Sequence, residues 1–215
     1  MTDAPRVIAI DGPAGSGKST VAKAVSVRTG LPYLDTGAMY RSVAFAALRA
    51  GVDPDDAEVV ATMALGLELT MDPDGTVVVD GADATIEIRG PEVTRAVSIV
   101  AANPTVRSEM RRRQREWATE RGGGVMEGRD IGTVVFPDAA LKVYLDARPE
   151  IRAARRSKEV ADLSYETVAS DLARRDALDQ GRSDSPLREA DDAWVIDTSD
   201  LSVDQIVDVI LERLG

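Results

Sequence analysis

The sequence contains no cysteine and no histidine, and its aromatic residues are limited to two Trp, four Tyr and two Phe. Without cysteine there can be no disulfide, no thiolate nucleophile and no thiolate ligand for zinc. Without histidine there is neither an imidazole zinc ligand nor a Ser-His-Asp triad. Any chemistry must therefore use carboxylates, hydroxyls, lysine, arginine, backbone amides or a bound ion.

Long apolar runs are missing too, because no stretch approaches the roughly 20 residues that span a bilayer. The first residues, MTDAPRV, lack the basic and apolar regions of a signal peptide. There are 37 Asp and Glu against 26 Lys and Arg, which gives a formal net charge of −11. That sign disfavours a nucleic-acid polymer or an anionic membrane as a partner. We therefore expect a cytoplasmic protein and, since no apolar surface stripe is evident, a monomer.

Short apolar segments alternate with helical patterns along most of the 215 residues. This alternation predicts an α/β fold with a mostly parallel sheet and helices on both faces. The predicted strands of the sheet are residues 7–10, 32–34, 125–126, 141–145 and 194–196. Near the end of the chain, Ser202 and Gln205 have the spacing of a capping box and introduce a final amphipathic helix.

Two regions depart from the alternation. Residues 67–71, 76–79 and 85–88 have the composition of strands and are separated by turn sequences, which predicts a small antiparallel meander inserted into the fold. Residues 148–188 are polar and rich in arginine, and we expect two helices and a mobile loop there. Between these regions, Asn103 and Pro104 begin a helix that runs to about Arg121.

The strongest local pattern lies in residues 12–19, GPAGSGKS, which match the phosphate-loop motif GxxxxGK[ST] at every fixed position. Its glycines let successive backbone N–H groups turn towards phosphate oxygens, and the following helix adds its positive N-terminal end. Lys18 would contact the β- and γ-phosphates, and the Ser19 hydroxyl could bind Mg²⁺ directly. The ATP-binding residues predicted here are Gly12, Pro13, Ala14, Gly15, Ser16, Gly17, Lys18, Ser19 and Thr20.

A phosphate loop indicates nucleotide binding without specifying a reaction. The chain lacks the Asn/Thr-Lys-x-Asp motif of switch GTPases and the LSGGQ-like signature of transport ATPases. The arginine-rich stretch before the last strand is typical of a small kinase that closes over ATP, because the guanidinium fork binds phosphate oxygens in pairs.

Two further stretches, DTGAMYR at residues 35–41 and EGRDIGTVVFPD at residues 127–138, resemble the signature sequences of bacterial cytidylate kinases. The resemblance extends from about Arg6 to Leu214. It implies one phosphate-loop kinase domain over residues 1–215, with a nucleoside-monophosphate-binding insert at 36–103 and a lid at 148–188. It also implies transfer of the γ-phosphate of ATP to CMP or dCMP, with Mg²⁺ as cofactor.

The same resemblance assigns roles to individual residues. Those implied to grip the monophosphate or act in catalysis are Arg41, Arg129 and Arg182, beside Lys18. Those implied to line the rest of the CMP site are Thr36, Tyr40, Ser98, Arg107, Gly128, Asp130, Arg175 and Asp179. Arg152 and Arg156 fit lid arginines near ATP, and Glu127 would bind Mg²⁺ through water. Thr36 and Glu127 stand where many members of the family have Ser and Asp.

The chemistry of cytosine agrees with this assignment. Its exocyclic amine can donate to a carboxylate such as Asp130, while Arg107 and a serine hydroxyl can donate to its ring and carbonyl acceptors. Uracil has a carbonyl in place of that amine and would face Asp130 unfavourably. Two alternatives remain open: another small-molecule kinase of the same fold, and a nucleotide-dependent switch without useful catalysis.

Overall fold

The computed structural model of the protein describes residues 5–73, 75–159 and 163–214. The chain forms two compact units, one made of Met1–Leu34 with Ala118–Gly215 and the other of Asp35–Trp117. The predicted insert, residues 36–103, lies within the second unit, and the predicted lid, residues 148–188, lies within the first. In the described part, every helix is too short or too polar to cross a membrane.

The elements alternate along the chain, apart from a cluster of short strands in the second unit. In chain order they are β1 (Arg6–Asp11), α1 (Lys18–Thr29), β2 (Tyr33–Asp35), α2 (Thr36–Arg49), α3 (Ala57–Gly66), β3 (Leu69–Met71), β4 (Val77–Val79), β5 (Ala82–Asp83), α4 (Pro91–Val100), α5 (Pro104–Arg121), β6 (Gly123–Gly128), β7 (Leu141–Asp146), α6 (Pro149–Glu159), α7 (Tyr165–Gln180), β8 (Trp194–Asp197) and α8 (Val203–Leu214). A 3₁₀ turn occupies Glu87–Arg89, and a π-helical turn occupies Ile131–Val135.

The first unit is built on a five-stranded sheet of order β2-β6-β1-β7-β8, in which β1 runs parallel to β6 and β7, and β7 runs parallel to β8. Its core joins Ile8 and Ile10 of β1 to Val21 and Val25 of α1 and to Ile206 of α8. The predicted parallel α/β fold is confirmed. The capping box before α8 is present as well, since Ser202 and Gln205 exchange side-chain to backbone hydrogen bonds.

The second unit contains the antiparallel sheet β3-β4-β5, and α2 contacts α3, α4 and β4. The third predicted strand, residues 85–88, is wrong. The side chain of Asp83 accepts hydrogen bonds from the backbone N–H and the hydroxyl of Thr85, and the chain turns there. The β-branched residues that suggested a strand lead instead into the 3₁₀ turn, and the strand pairing ends at Asp83.

One glycine outside the phosphate loop fixes how closely two strands of the sheet approach. Gly123 begins β6 with φ +131°, and a Cβ there would lie 2.1 Å from the carbonyl oxygen of Arg6. We expect Gly123→Ala to lower the free energy of unfolding by about 2 kcal/mol or more. In Gly66→Ala the new methyl meets no atom within 4 Å, so that variant should be neutral or stabilised by up to about 1 kcal/mol. Urea unfolding compares the two; equal effects would contradict this explanation.

Candidate nucleotide site

The phosphate loop connects the end of β1 to the start of α1. Gly12, Gly15 and Gly17 all have positive φ values of 79° to 148°. A Cβ on Gly12 would lie 2.0 Å from the carbonyl oxygen of Leu145, so the loop can follow this path only with glycine at that position. Pro13, Ala14 and Ser16 are buried in the same loop, whereas Thr20 is exposed on α1. The loop therefore presents the N-terminus of α1 and its backbone amides to a ligand.

Lys18 is buried at the first turn of α1, and its ammonium group donates to the carbonyl oxygen of Pro13 at 2.6 Å. Burial, together with the positive charge of Arg129, lowers the pKa of Lys18 to about 7, although the carboxylates of Glu127 and Asp11 oppose that shift. Because burial disfavours the charged form of Lys18, an anion beside the amine would stabilise that charged form strongly. Nucleotide phosphates would supply that anion.

Nucleotide binding should therefore be linked to proton uptake. At pH 8 the amine of Lys18 is mostly neutral, since its pKa is about 7, and bound phosphates would raise that pKa above 8. We expect ADP binding at pH 8 to take up nearly one proton, measured by calorimetry in two buffers of different ionisation enthalpy. Lys18→Gln should bind ADP without that uptake. Binding by the natural protein without any proton uptake would contradict this description of Lys18.

The side chains of Ser19 and Glu127 place two oxygen atoms that could bind a metal ion next to each other at the end of the phosphate loop. The Ser19 hydroxyl donates to Oε2 of Glu127 at 2.8 Å, and the hydroxyl of Tyr33 donates to Oε1 of the same carboxylate. A hydroxyl and a carboxylate suit Mg²⁺, which is typically held by one or two protein oxygens, phosphates and water. The residues present therefore fit the predicted magnesium site, and Tyr33 is a supporting residue that the sequence analysis did not identify.

A cluster of three arginines surrounds one carboxylate behind the end of β6. Asp179 of α7 accepts a hydrogen bond from Nε of Arg129 at 2.8 Å and another from Arg182. Burial alone would raise the pKa of Asp179, but the charges of Arg129 and Arg182 hold it below its usual value. Burial and the charge of Arg129 lower the pKa of Arg175 to about 10. The positive charge of the three arginines exceeds the negative charge of Asp179, which suits the cluster to bind an anion.

The guanidinium of Arg175 has a nitrogen whose hydrogen-bonding capacity is unused in the described structure. Nε of Arg175 is buried and has no hydrogen-bond partner among the residues that the structure describes. A buried donor of this kind is costly unless something accepts its hydrogen. A phosphate or a sugar hydroxyl of a nucleotide would do so.

Gly128 and Asp130 flank Arg129 at the end of β6, where the chain enters the π-helical turn. Asp130 is buried at the N-cap of that turn, and its carbonyl oxygen accepts from the N–H of Val134. The next two N–H groups, of Ile131 and Gly132, donate to the carboxylate of Asp11 at 2.9 and 2.7 Å. Asp11 is a second residue that the sequence analysis missed.

The two helices of the predicted lid contact the phosphate loop directly. Arg152 of α6 forms an ion pair with Asp176 of α7 and also donates to the carbonyl oxygen of Ala14 at 3.1 Å. Asp176 accepts from the N–H of Ala14 at 3.4 Å. The other predicted lid residue, Arg156, pairs with Glu159 at 2.6 Å on the surface of α6. Arg152 thus lies at the phosphate loop, and Asp176 is a third residue that was not predicted.

The second unit contains the residues that the resemblance assigns to the nucleobase, apart from Asp130, which belongs to the first unit. The guanidinium of Arg107, only 1% exposed, lies 5.3 Å from the ring centre of Tyr40 and donates to the carbonyl oxygen of Ala101 at 3.1 Å. Ser98 is buried on α4, and Thr36 is buried at the start of α2. The contact between guanidinium and ring holds both side chains in fixed positions in this part of the second unit.

Arg41 is held one helical turn after the start of α2. Its Nη1 donates to the carbonyl oxygen of Ile88 at 3.2 Å and to the hydroxyl of Thr94 at 3.0 Å. The helix itself begins at the N-cap Asp35, whose carboxylate accepts from the N–H of Ala38. The position of the Arg41 guanidinium is therefore determined by α4 and the 3₁₀ turn.

Comparison with known proteins identifies the family. The protein-family model described as "Cytidylate kinase" matches residues 8–215 of the chain. The chain belongs to the cytidylate kinase family. The cytidylate kinase of Mycolicibacterium paratuberculosis is 50% identical over 210 residues, which cover 94% of this chain and 92% of that protein. The Bacillus subtilis cytidylate kinase is 49% identical over 214 residues, covering 96% and 95% of the two chains. The resemblance drawn from residues 35–41 and 127–138 is thereby confirmed.

The fold of the chain also occurs among solved structures. An uncharacterized protein from Eubacterium ventriosum superimposes with a TM-score of 0.52 at 14% identity, and the match covers 97% of this chain and 98% of that one. Identity this low shows the fold alone. The family assignment rests on the sequence relatives and the family model.

Proposed function

We propose that this member of the cytidylate kinase family transfers the γ-phosphate of ATP to CMP or dCMP, giving ADP with CDP or dCDP. The observation that supports the proposal most directly is the match of the cytidylate kinase model to residues 8–215. The first unit adds a phosphate loop and an arginine cluster with excess positive charge, and the second adds a buried arginine beside an aromatic ring. These are the parts that phosphoryl transfer between two nucleotides requires.

The reaction needs no general base, because the attacking group is a phosphate oxygen of CMP that is already ionised at neutral pH. Catalysis then depends on alignment of donor and acceptor and on neutralisation of charge. We assign the ATP phosphates to the phosphate loop, Lys18 and Arg152, and the phosphate of CMP to Arg41, Arg129 and Arg182. The absence of histidine and cysteine is therefore no obstacle to this chemistry.

Mg²⁺ is proposed as the cofactor. Ser19 would bind it directly and Glu127 through a water molecule, since both oxygens already lie 2.8 Å apart. When bound, the ion neutralises phosphate charge. The protein's own contribution is to hold the two oxygens in place, and Tyr33 does so by donating to the second oxygen of Glu127.

Selectivity for cytosine is assigned to Ser98, Arg107 and Asp130, with Thr36 and Tyr40 lining the pocket. Arg175 and Asp179 are proposed to contact the sugar. Arg156 is proposed to lie near the ATP phosphates or adenine, with its present partner Glu159 displaced. Because a carboxylate facing the uracil carbonyl lacks a hydrogen to accept, the site should disfavour UMP.

One experiment tests the proposal against its alternatives. ADP formation from ATP is measured in parallel with CMP, dCMP, UMP, AMP and GMP. We expect kcat/KM for UMP to be about 100-fold or more below the value for CMP, with dCMP accepted. Preference for another acceptor would favour a different kinase of the same fold. ATP binding without ADP formation from any acceptor would favour a nucleotide-dependent switch.

A further inference from the structure

Asp11 is the last residue of β1, immediately before the phosphate loop, and its side chain is buried. Its two carboxylate oxygens are both used: Oδ1 accepts from the N–H of Ile131 at 2.9 Å and Oδ2 from the N–H of Gly132 at 2.7 Å. These are the first two residues of the π-helical turn, and they follow Arg129 and Asp130 directly. A single side chain of β1 thus holds the start of the turn that directly follows two proposed substrate-binding residues.

The usual place for such a bond is the N-cap residue itself, which would bond the amides at the start of its own helix. Here the N-cap is Asp130, which makes no side-chain capping bond, and Asp11 supplies it from the neighbouring strand. The side-chain bonds to the first two amides of the turn thus come from Asp11.

Keeping a carboxylate at this position is costly. Burial, with a smaller contribution from the charge of Asp130, raises the pKa of Asp11 to about 6, although its two amide partners and Lys18 act to lower it. Tyr144 occupies the adjacent position on β7, and the side chain of Lys142 lies 3.2 Å from where a Cβ on Gly132 would stand. A buried carboxylate whose pKa stays raised despite these bonds fits a positioning role better than a contribution to stability.

We propose that Asp11 is a positioning residue for the acceptor nucleotide, which fixes Asp130 and Arg129 by bonding the amides of Ile131 and Gly132 and so contributes to the preference for cytosine. This inference rests on the proposed function. In this role Asp11 would connect the two nucleotide sites, because its backbone leads into the phosphate loop and its side chain bonds the turn after β6.

The variant Asp11→Asn tests the proposal because it keeps the size of the side chain and removes one of its two acceptors. One amide N–H of the turn would then face an NH₂ group. We expect kcat/KM for CMP to fall about 10- to 100-fold and the CMP-to-UMP ratio to fall with it, while the dissociation constant of ADP changes less than about threefold. A stability loss alone would leave the ratio unchanged.

Asp197→Asn is the matched control. Asp197 also ends a strand of the sheet, β8, and accepts from a backbone amide, that of Ser199 at 2.8 Å, but it is exposed. The same substitution there should leave the CMP-to-UMP ratio as in the natural protein. The proposal is overturned if both variants have the same kcat/KM and the same ratio.

A measurement on the natural protein covers the case in which Asp11→Asn does not fold. The amide resonances of Ile131 and Gly132 should shift together with a midpoint near pH 6, the pKa of the carboxylate they bond. The Ser199 amide should shift only at lower pH, because hydrogen bonds from Ser199 to the Asp197 carboxylate hold the pKa of Asp197 below the usual value. Amides of Ile131 and Gly132 that do not titrate together would overturn the proposal.

Failure of the proposed function gives a different result. If the natural protein prefers another acceptor to CMP, the proposed function fails. The positioning role is then judged on kcat/KM of Asp11→Asn for that acceptor: a 10-fold or greater loss beside an unchanged Asp197→Asn supports it, and an unchanged value overturns it.

Discussion

Replacement of Lys18 by alanine is expected to lower kcat by about 10²- to 10³-fold, the effect of removing a group that stabilises transition-state charge. The free energy of unfolding should change by no more than about 1 kcal/mol. Burial holds the pKa of this amine near 7, so its charge is less favourable in the folded protein than in water. The ammonium group is therefore kept for the reaction at some cost to folding.

The measurement combines ADP formation at saturating ATP and CMP with urea unfolding of the same samples. Lys23→Ala is the control, since Lys23 lies on the same helix, is exposed and has its ammonium group 5.6 Å from the ring centre of Tyr33. Its kcat should match that of the natural protein. An unaltered turnover in Lys18→Ala, or an equal loss in Lys23→Ala, would contradict the role assigned to Lys18.

Replacement of Arg129 by alanine is expected to lower kcat/KM for CMP by about 100-fold or more, since a hydrogen bond to a charged group contributes about 1.5–3 kcal/mol and a guanidinium can form two. Arg129 is also the partner of Asp179 at 2.8 Å, so its loss removes positive charge and the partner of a buried carboxylate together. Arg129→Lys should recover only part of the activity, because lysine keeps the charge without the planar fork.

Arg174→Ala is the control for this prediction. Arg174 lies on the same helix as Arg175 and Asp179, but it is half exposed and pairs with Asp171 at 3.1 Å on the surface. Its kcat/KM should be unchanged. The dissociation constant of ADP should also stay within about twofold in Arg174→Ala. A loss in Arg174→Ala equal to that in Arg129→Ala would show that general charge, rather than the cluster around Asp179, binds the acceptor.

The parts of the site that the sequence predicted are those whose chemistry requires a fixed local spacing. The phosphate loop is recognisable because its glycines must adopt positive φ and because Lys18 and Ser19 must follow them directly. The five strands were predicted because each is a short apolar run. The alternation of strands and helices implies a parallel sheet before any contact is known.

The missed residues depend on contacts that are distant along the chain. A polar residue at the end of a buried strand could have drawn attention to Asp11, but its partners, Ile131 and Gly132, lie 120 and 121 residues away. Asp176 continues the buried face of α7 that begins with Val168 and Leu172, a helical spacing visible in the sequence. Its bond to Ala14 of the phosphate loop, 162 residues away, is not.

The net charge of the whole chain and the charge of the candidate site have opposite signs. A net charge of −11 describes the whole sequence, while the candidate site is built from buried or partly buried arginines and one lysine. Arg107 is the largest fully buried side chain among the described residues. An acidic protein therefore contains a local concentration of buried and partly buried cationic side chains, which composition alone would not reveal.

The reaction proposed for this protein moves a phosphoryl group from ATP to a cytidine monophosphate, and an isotopic label on that group shows where it goes. ATP labelled at its γ-phosphate is incubated with the protein, Mg²⁺ and CMP, and the products are separated. We predict that the label appears in CDP, with one ADP formed for each CDP, and that UMP in place of CMP accepts very little. Label found only in inorganic phosphate, or carried in preference by another acceptor, would contradict the proposed reaction.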